Sequence, residues 1–149
     1  LIINRKPVDP TDPKSTPIVQ LESAMGAAVS VFPDARAVCV PRSRFAPVKT
    51  TEDLLALWSD AYVLGDDMHM NLHPSRHGRP VVLHLDPACF GAYENLKARI
   101  PDGVPSLVEC ESLTVKGDFR FGKNVVVKGR AQLKNTGPQQ AIPDNTVLT

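Results

Sequence analysis

Aromatic side chains are scarce, at 5%, too few for the row of stacking platforms that binds single-stranded nucleic acid. Neither sign of charge dominates: 17 Lys and Arg against 16 Asp and Glu leave a net charge of +1. The chain therefore has no global basic field for a polyanion and no acidic tail. Cysteine is sparse too. Cys39, Cys89 and Cys110 are odd in number, scattered, and never in a CxxC pair. That pattern excludes a disulfide framework and suits a reducing compartment, which makes a cytoplasmic location the expectation. No apolar run reaches the roughly 18 residues of a bilayer span, so no membrane partner is expected. No signal peptide is expected, and the opening LIINRKPVDP, with Leu1 in place of a start methionine, reads as a strand belonging to a longer chain.

What is present is globular in composition. The 149 residues are 42% apolar, enough for one domain or a piece of a larger protein. Fourteen prolines punctuate the chain. Leu1–Asn4 is a short apolar run, and NRKPVDPTDPKSTP after it is loop, broken by Pro7, Pro10, Pro13 and Pro17. In IVQLESAMGAAVSVF, residues Leu21, Ala24, Met25, Ala28 and Val29 recur at three and four, the helical period. This predicts a helix over 18–31 with a small face, ended by Pro33, with Glu22 as a solvated helix carboxylate. ARAVCVP reads as a strand with Cys39 as a buried structural thiol.

TTEDLLALWSDAYVL carries a second helical stripe: Leu54, Leu55, Trp58, Ala61 and Tyr62. Thr50 or Thr51 is the expected N-cap; if Thr50 caps, Asp53 falls at the third helical position, as in a capping box. Gly65 is the expected stop and Trp58 the expected core anchor. His69, His73 and His77 are spaced by four, the ligand spacing of a helical metal site, yet Pro74, Ser75 and Gly78 predict an irregular loop there instead. VVLHLD reads as a strand and ACFGAYENLKARI as a short amphipathic helix.

The tail has a different rhythm. Val115, Phe121, Val127 and Leu133 recur every six residues, and so do Phe119, Val125 and Ala131. Ile142 and Leu148 resume the spacing after an insertion. A six-residue apolar period with turn glycines predicts a parallel β-helix. Its open end would expose strand edges and could make oligomer contacts.

Between the predicted strand at 35–41 and the second helix lies VPRSRFAPVKTTEDLL, with Arg42, Arg44 and Lys49 between or beside Pro41 and Pro47. Ligands of α/β folds bind where strands end and helices begin. Lys49 falls just before a helix N-terminus, where amides and the macrodipole favour an anion, and a lysine there is a point charge for a phosphate oxygen. Solvated charges on a turn are the competing reading.

VQLESAMGAAV, then PRSRF.PVKTT.DLL, then LTVKGDFRFGKNVVVKG, in that order, resemble the C-terminal half of UDP-glucose pyrophosphorylase, the UTP–glucose-1-phosphate uridylyltransferase family. The resemblance implies an α/β fold: the C-terminal part of a Rossmann-like nucleotidyltransferase domain over 1–104 with a linker, then a left-handed β-helix domain over 105–149, possibly truncated. In the family reaction glucose 1-phosphate attacks the α-phosphorus of UTP, giving UDP-glucose and pyrophosphate with Mg²⁺ assisting. The family's PVKTT lysine, which approaches the phosphates, matches Lys49, and its RSRF phenylalanine, near the sugar, matches Phe45. Arg42 and Arg44 match the motif and are read as structural. The family's Gly-rich nucleotide loop and its Mg²⁺ aspartate have no counterpart among these residues. The resemblance therefore implies a partner, the N-terminal portion of the same enzyme, and a fragment that is inactive and folds poorly alone. A non-catalytic assembly module, or part of a related UDP-sugar pyrophosphorylase, are the alternative readings.

Overall fold

The computed structural model describes residues 1–41, 45 and 47–149; the reading of Arg42 and Arg44 falls outside these. The fold is mixed α/β and divides into two compact units, Leu1–Phe45 and Ala46–Thr149.

The first unit opens on an antiparallel hairpin, β1 (Ile2–Pro7) with β2 (Pro17–Glu22), in the register Ile2↔Glu22 to Pro7↔Pro17. The loop between them is closed by its own polar groups. Asp9 accepts from the Thr11 N–H at 2.8 Å and from the Thr11 hydroxyl at 2.6 Å, and the Asp9 N–H donates to Ser15 Oγ at 3.0 Å. The helix predicted over 18–31 does not form. Its first part is β2, and only Met25–Ser30 winds, as a 3₁₀ turn. A strand partner at Ile2–Pro7 outweighs the helical spacing, because paired β-branched Ile18 and Val19 suit a ladder better than a helix. Glu22 thus ends a strand. Residues 35–41 are not a strand either: among the described residues no strand pairs with them, and Cys39 is exposed. No described residue of this unit is buried.

The second unit holds the core. Helix α1 (Thr51–Trp58) leads into a small hairpin of β3 (Tyr62–Leu64) and β4 (Met70–Leu72), antiparallel with Tyr62↔Leu72. The helix stops at Ser59, well before Gly65, which serves the β3–β4 turn. Ser59 is extended, its hydroxyl donates to the Ala56 carbonyl at 2.7 Å, and it accepts from the Ala61 N–H at 3.2 Å. The cause is long-range. The Asp60 carboxylate accepts from Ser106 Oγ at 2.5 Å and from the Leu107 and Val108 N–H groups at 2.7 and 2.9 Å. Trp58 is consequently not a core anchor. It is 41% exposed and meets Tyr93 edge-on at 6.0 Å between ring centres.

After a 3₁₀ turn at Pro74–Arg76 come β5 (Val82–Leu85), α2 (Pro87–Phe90) and α3 (Tyr93–Arg99). The six-residue rhythm then becomes β6 (Cys110–Lys116), β7 (Phe119–Phe121), β8 (Val126–Val127), β9 (Gly129–Lys134), β10 (Gln140–Ile142) and β11 (Val147–Leu148). All pairings among these are parallel: β5–β6–β9, β7–β10 and β8–β11. The chain thus returns to the same three ladders on successive passes. Leu113 lies beside Ala131 and Phe121 beside Ile142, so the second interval is three residues longer (131 minus 113 against 142 minus 121). The Asn135 side chain closes that insertion, donating to the Asp118 and Pro138 carbonyls at 3.0 and 2.6 Å. The inward residues of the rhythm are the core: Val115, Phe119, Phe121, Val125, Val127 and Ala131 are all buried. The stacking also reaches back past residue 105, because β5 pairs with β6 in register Leu83↔Leu113.

Candidate functional site

Lys49 immediately precedes α1. The spacing Thr50-x-x-Asp53 makes a complete capping box: the Asp53 N–H donates to Thr50 Oγ1 at 3.2 Å, and the Thr50 N–H donates to Asp53 Oδ2 at 3.0 Å. The same carboxylate oxygen accepts from the Lys49 N–H at 2.9 Å and from the Thr50 hydroxyl at 3.0 Å. Asp53 therefore grips the backbone of Lys49 as well as capping the helix. These contacts, led by the Lys49 amide, hold the Asp53 carboxyl below the usual carboxylate range. The Lys49 side chain is exposed, and among the described residues no carboxylate lies within ion-pair distance of its ammonium.

The expected help from the helix end is smaller than the spacing suggested. The amides of Lys49, Thr50 and Asp53 are already taken, and Glu52 and Asp53 put two carboxylates in the first turn, which offsets the macrodipole. An anion here meets the Lys49 ammonium first. Glu52 is itself engaged, accepting from the Leu85 N–H at 3.4 Å, so the start of α1 is tied to the end of β5. Phe45 closes the first unit and is 55% exposed.

The three spaced histidines do not converge. His69 lies against Asp67 at 3.0 Å, His73 caps the 3₁₀ turn and bonds Ser75 Oγ through Nδ1 at 2.7 Å, and His77 adopts a left-handed backbone with φ of 49°. Among the described residues no group of three or more His, Cys, Asp or Glu could hold a metal ion. Two clefts flank the parallel ladders: one lined by Arg76, Arg79 and Arg130, the other by Trp58, Asp60 and Ser106. Neither is lined by Lys49 or Phe45.

The sequence model of UTP–glucose-1-phosphate uridylyltransferase matches residues 1–128. The chain belongs to that family.

Uridylyltransferases of the family are similar along nearly all of it. The Hordeum vulgare protein is 41% identical over 151 residues, covering 99% of this chain and 30% of its own length. The Pyrus pyrifolia protein is 38% identical with 99% and 30% covered. Among solved structures, a UDP-glucose pyrophosphorylase variant from Leishmania major in complex with UDP-glucose superposes with a TM-score of 0.83 at 46% identity, covering 99% of this chain and 31% of that one. A UDP-glucose phosphorylase from Trypanosoma brucei gives 0.87 at 45% identity, with 98% and 31% covered. The chain thus spans about 30% of the length of the curated relatives it matches.

The capping box of Thr50 and Asp53 forms where the spacing put it, with Lys49 directly ahead of it, but three contacts that organise the surroundings were not legible from that spacing. Asp53 holds the Lys49 amide; Asp60 breaks α1; Asp86 accepts from the Ala88 and Gly117 N–H groups at 3.0 and 2.7 Å, tying α2 to the β6–β7 turn. The Asp-Pro step before α2 signalled the first of these Asp86 bonds. Nothing local signals a bond to Gly117, 31 residues away.

Proposed function

We propose that this chain is the C-terminal portion of an enzyme that transfers uridylyl from UTP to glucose 1-phosphate, releasing UDP-glucose and pyrophosphate, with Lys49 contacting the phosphates. The observation that carries the reading is Lys49 itself: an exposed ammonium, its backbone pinned by Asp53, in a chain of this family. Its role is electrostatic. As the bond to the leaving pyrophosphate lengthens, negative charge grows on the phosphate oxygens, and a fixed ammonium stabilises that charge more than it stabilises the ground state. Phe45 is assigned to the sugar side of the site. Mg²⁺, when bound, would neutralise phosphate charge, and its ligands are assigned to the rest of the enzyme.

The finer architecture belongs to the same proposal. The three recurring parallel ladders support a left-handed β-helix over 105–149, with β5 as an added rung. Residues 1–104 are then the end of a Rossmann-like domain with its linker. The first unit, whose described residues include none buried and which exposes Val31, Phe32 and Val38, supports packing against the N-terminal portion of the enzyme. Strands β9 to β11 have no further partner beyond them among the described residues, which supports an oligomer contact there. Three free thiols suit the cytoplasm.

The test is Lys49→Ala in the full-length enzyme, assayed for UDP-glucose formation from UTP and glucose 1-phosphate with Mg²⁺. Turnover should fall by roughly 100-fold or more, the loss typical of one oxyanion-stabilising group. Wild-type turnover in that variant would make the loop scaffolding and favour the assembly-module reading.

A further inference from the structure

We propose a second anion site, for a phosphate group, in the cleft between the Pro74–Arg76 turn and the start of β6. The argument begins with Arg76. It is only 6% exposed, yet no carboxylate pairs with it. Its guanidinium is held by carbonyls alone: Nε donates to Arg79 O at 2.8 Å, and Nη1 donates to Leu107 O and Val108 O at 2.9 and 2.8 Å. Carbonyl dipoles orient the group but leave its charge uncompensated, an arrangement that is costly for a residue so far out of water. Among the described residues Nη2 has no protein acceptor. Among the described residues no buried side-chain nitrogen lacks a partner, so Nη2 keeps contact with solvent, and Arg76 lines the cleft.

The charges around that cleft do not balance. Four cations stand there, Arg76, Arg79, Arg130 and Lys128, with two carboxylates, Glu109 and Glu111. Lys128 pairs with Glu109 at 2.9 Å and Arg130 with Glu111 at 3.0 Å. Both carboxylates are thereby answered, and Arg76 and Arg79 are left. The Arg79 side chain has no protein partner among the described residues, while its backbone carbonyl fixes Arg76. A fixed guanidinium with one free edge beside an exposed, unpaired one suits the geometry of a phosphate group. The cleft measures about 570 Å³, within the range of small-molecule sites and larger than a bare phosphate ion needs. The ligand class is therefore a phosphate, free or carried on a small molecule. The site is independent of the reading of Lys49.

The experiment titrates inorganic phosphate and, separately, glycerol 3-phosphate into the full-length protein carrying Lys49→Ala, which silences the other phosphate contact. Calorimetry is run at fixed ionic strength with chloride as the reference. Saturable binding that weakens at least tenfold in the added Arg79→Ala variant, and is largely kept in Arg79→Lys, is the expected result. Tighter binding of glycerol 3-phosphate would identify a phosphorylated small molecule, and tighter binding of inorganic phosphate the free ion. Heat no greater than chloride gives, or binding indifferent to Arg79→Ala, would overturn the site. Arg79 is exposed, so its replacement leaves folding intact and the comparison stays interpretable.

Discussion

A single carboxylate, Asp53, does two jobs at the start of α1. It caps the helix through Thr50 and fixes the backbone of Lys49. Its replacement by alanine should therefore cost about 1 kcal/mol of stability, the usual worth of an N-terminal cap. The same change should lower turnover of the full-length enzyme about tenfold, less than Lys49→Ala, because the ammonium remains but is held less well. Steady-state kinetics on the double variant separate the roles: adding Asp53→Ala to Lys49→Ala should reduce turnover no further. A further drop would mean that Asp53 acts through some group other than Lys49. This detail was half legible. The Thr-x-x-Asp spacing announces the box, but the bond back to Lys49 depends on the extended backbone at Thr50, with φ of −123° and ψ of 167°.

Elements in the second unit are joined by turns that fit tightly on the next pass of chain. Gly117, between β6 and β7, has φ of 90°, and a Cβ there would come within 1.9 Å of the Asn135 carbonyl oxygen. Gly117→Ala should cost about 3 kcal/mol or more by combining a left-handed backbone with overpacking. Gly26→Ala, where a Cβ meets nothing within 4 Å, should change stability little; urea denaturation of the two compares them. Helix α3 is held to the ladders by a two-pronged pair, Arg99 Nε and Nη2 to Asp118 Oδ1 and Oδ2, both at 2.8 Å. Those bonds, then one from Gln139, keep the Asp118 carboxyl below its ordinary range. Its contribution is fully present above the unfolded carboxylate value near 3.9 and is lost as pH falls through the lower folded value. Asp118→Asn should therefore lower Tm at pH 7, and the gap from wild type should close as pH falls below the ordinary carboxylate range.

At the scale of the molecule the two units differ in kind. The second contains a continuous core from Leu55 through Phe90, Leu96 and Leu113 to Ile142. The first contains a hairpin and a 3₁₀ turn with no buried side chain among its described residues. Burial of apolar surface is the main force resisting unfolding, so the isolated 149-residue chain should not behave uniformly. Hydrogen exchange should find the β6 and β9 amides protected and the β1–β2 amides close to unprotected. Equal protection across both would refute this division and the packing proposed for the first unit. The result would also refine the expectation that the whole fragment folds poorly alone: the core of the second unit is its own.

The sequence by itself determined the features whose cause is local. The six-residue rhythm of Val115, Phe121 and Val127 placed the core of the tail, because each pass of the chain must turn an apolar side chain inward. Thr50 and Asp53 started α1, because a cap needs only a side chain three residues from an amide. The motif around Lys49 named the family. Tertiary structure decided the rest. Residues 18–22 have a helical spacing but are a strand, because Ile2–Pro7 offers backbone partners that no spacing reveals. Helix α1 ends at Ser59 and not at Gly65, because Asp60 is claimed by amides more than forty residues away. Arg76, in a polar stretch that looked like plain loop, is buried because the carbonyls of Leu107 and Val108 come to meet it. Hydrogen bonds and apolar contacts act over a few ångströms in space, whatever the separation along the chain, and only the fold converts one distance into the other.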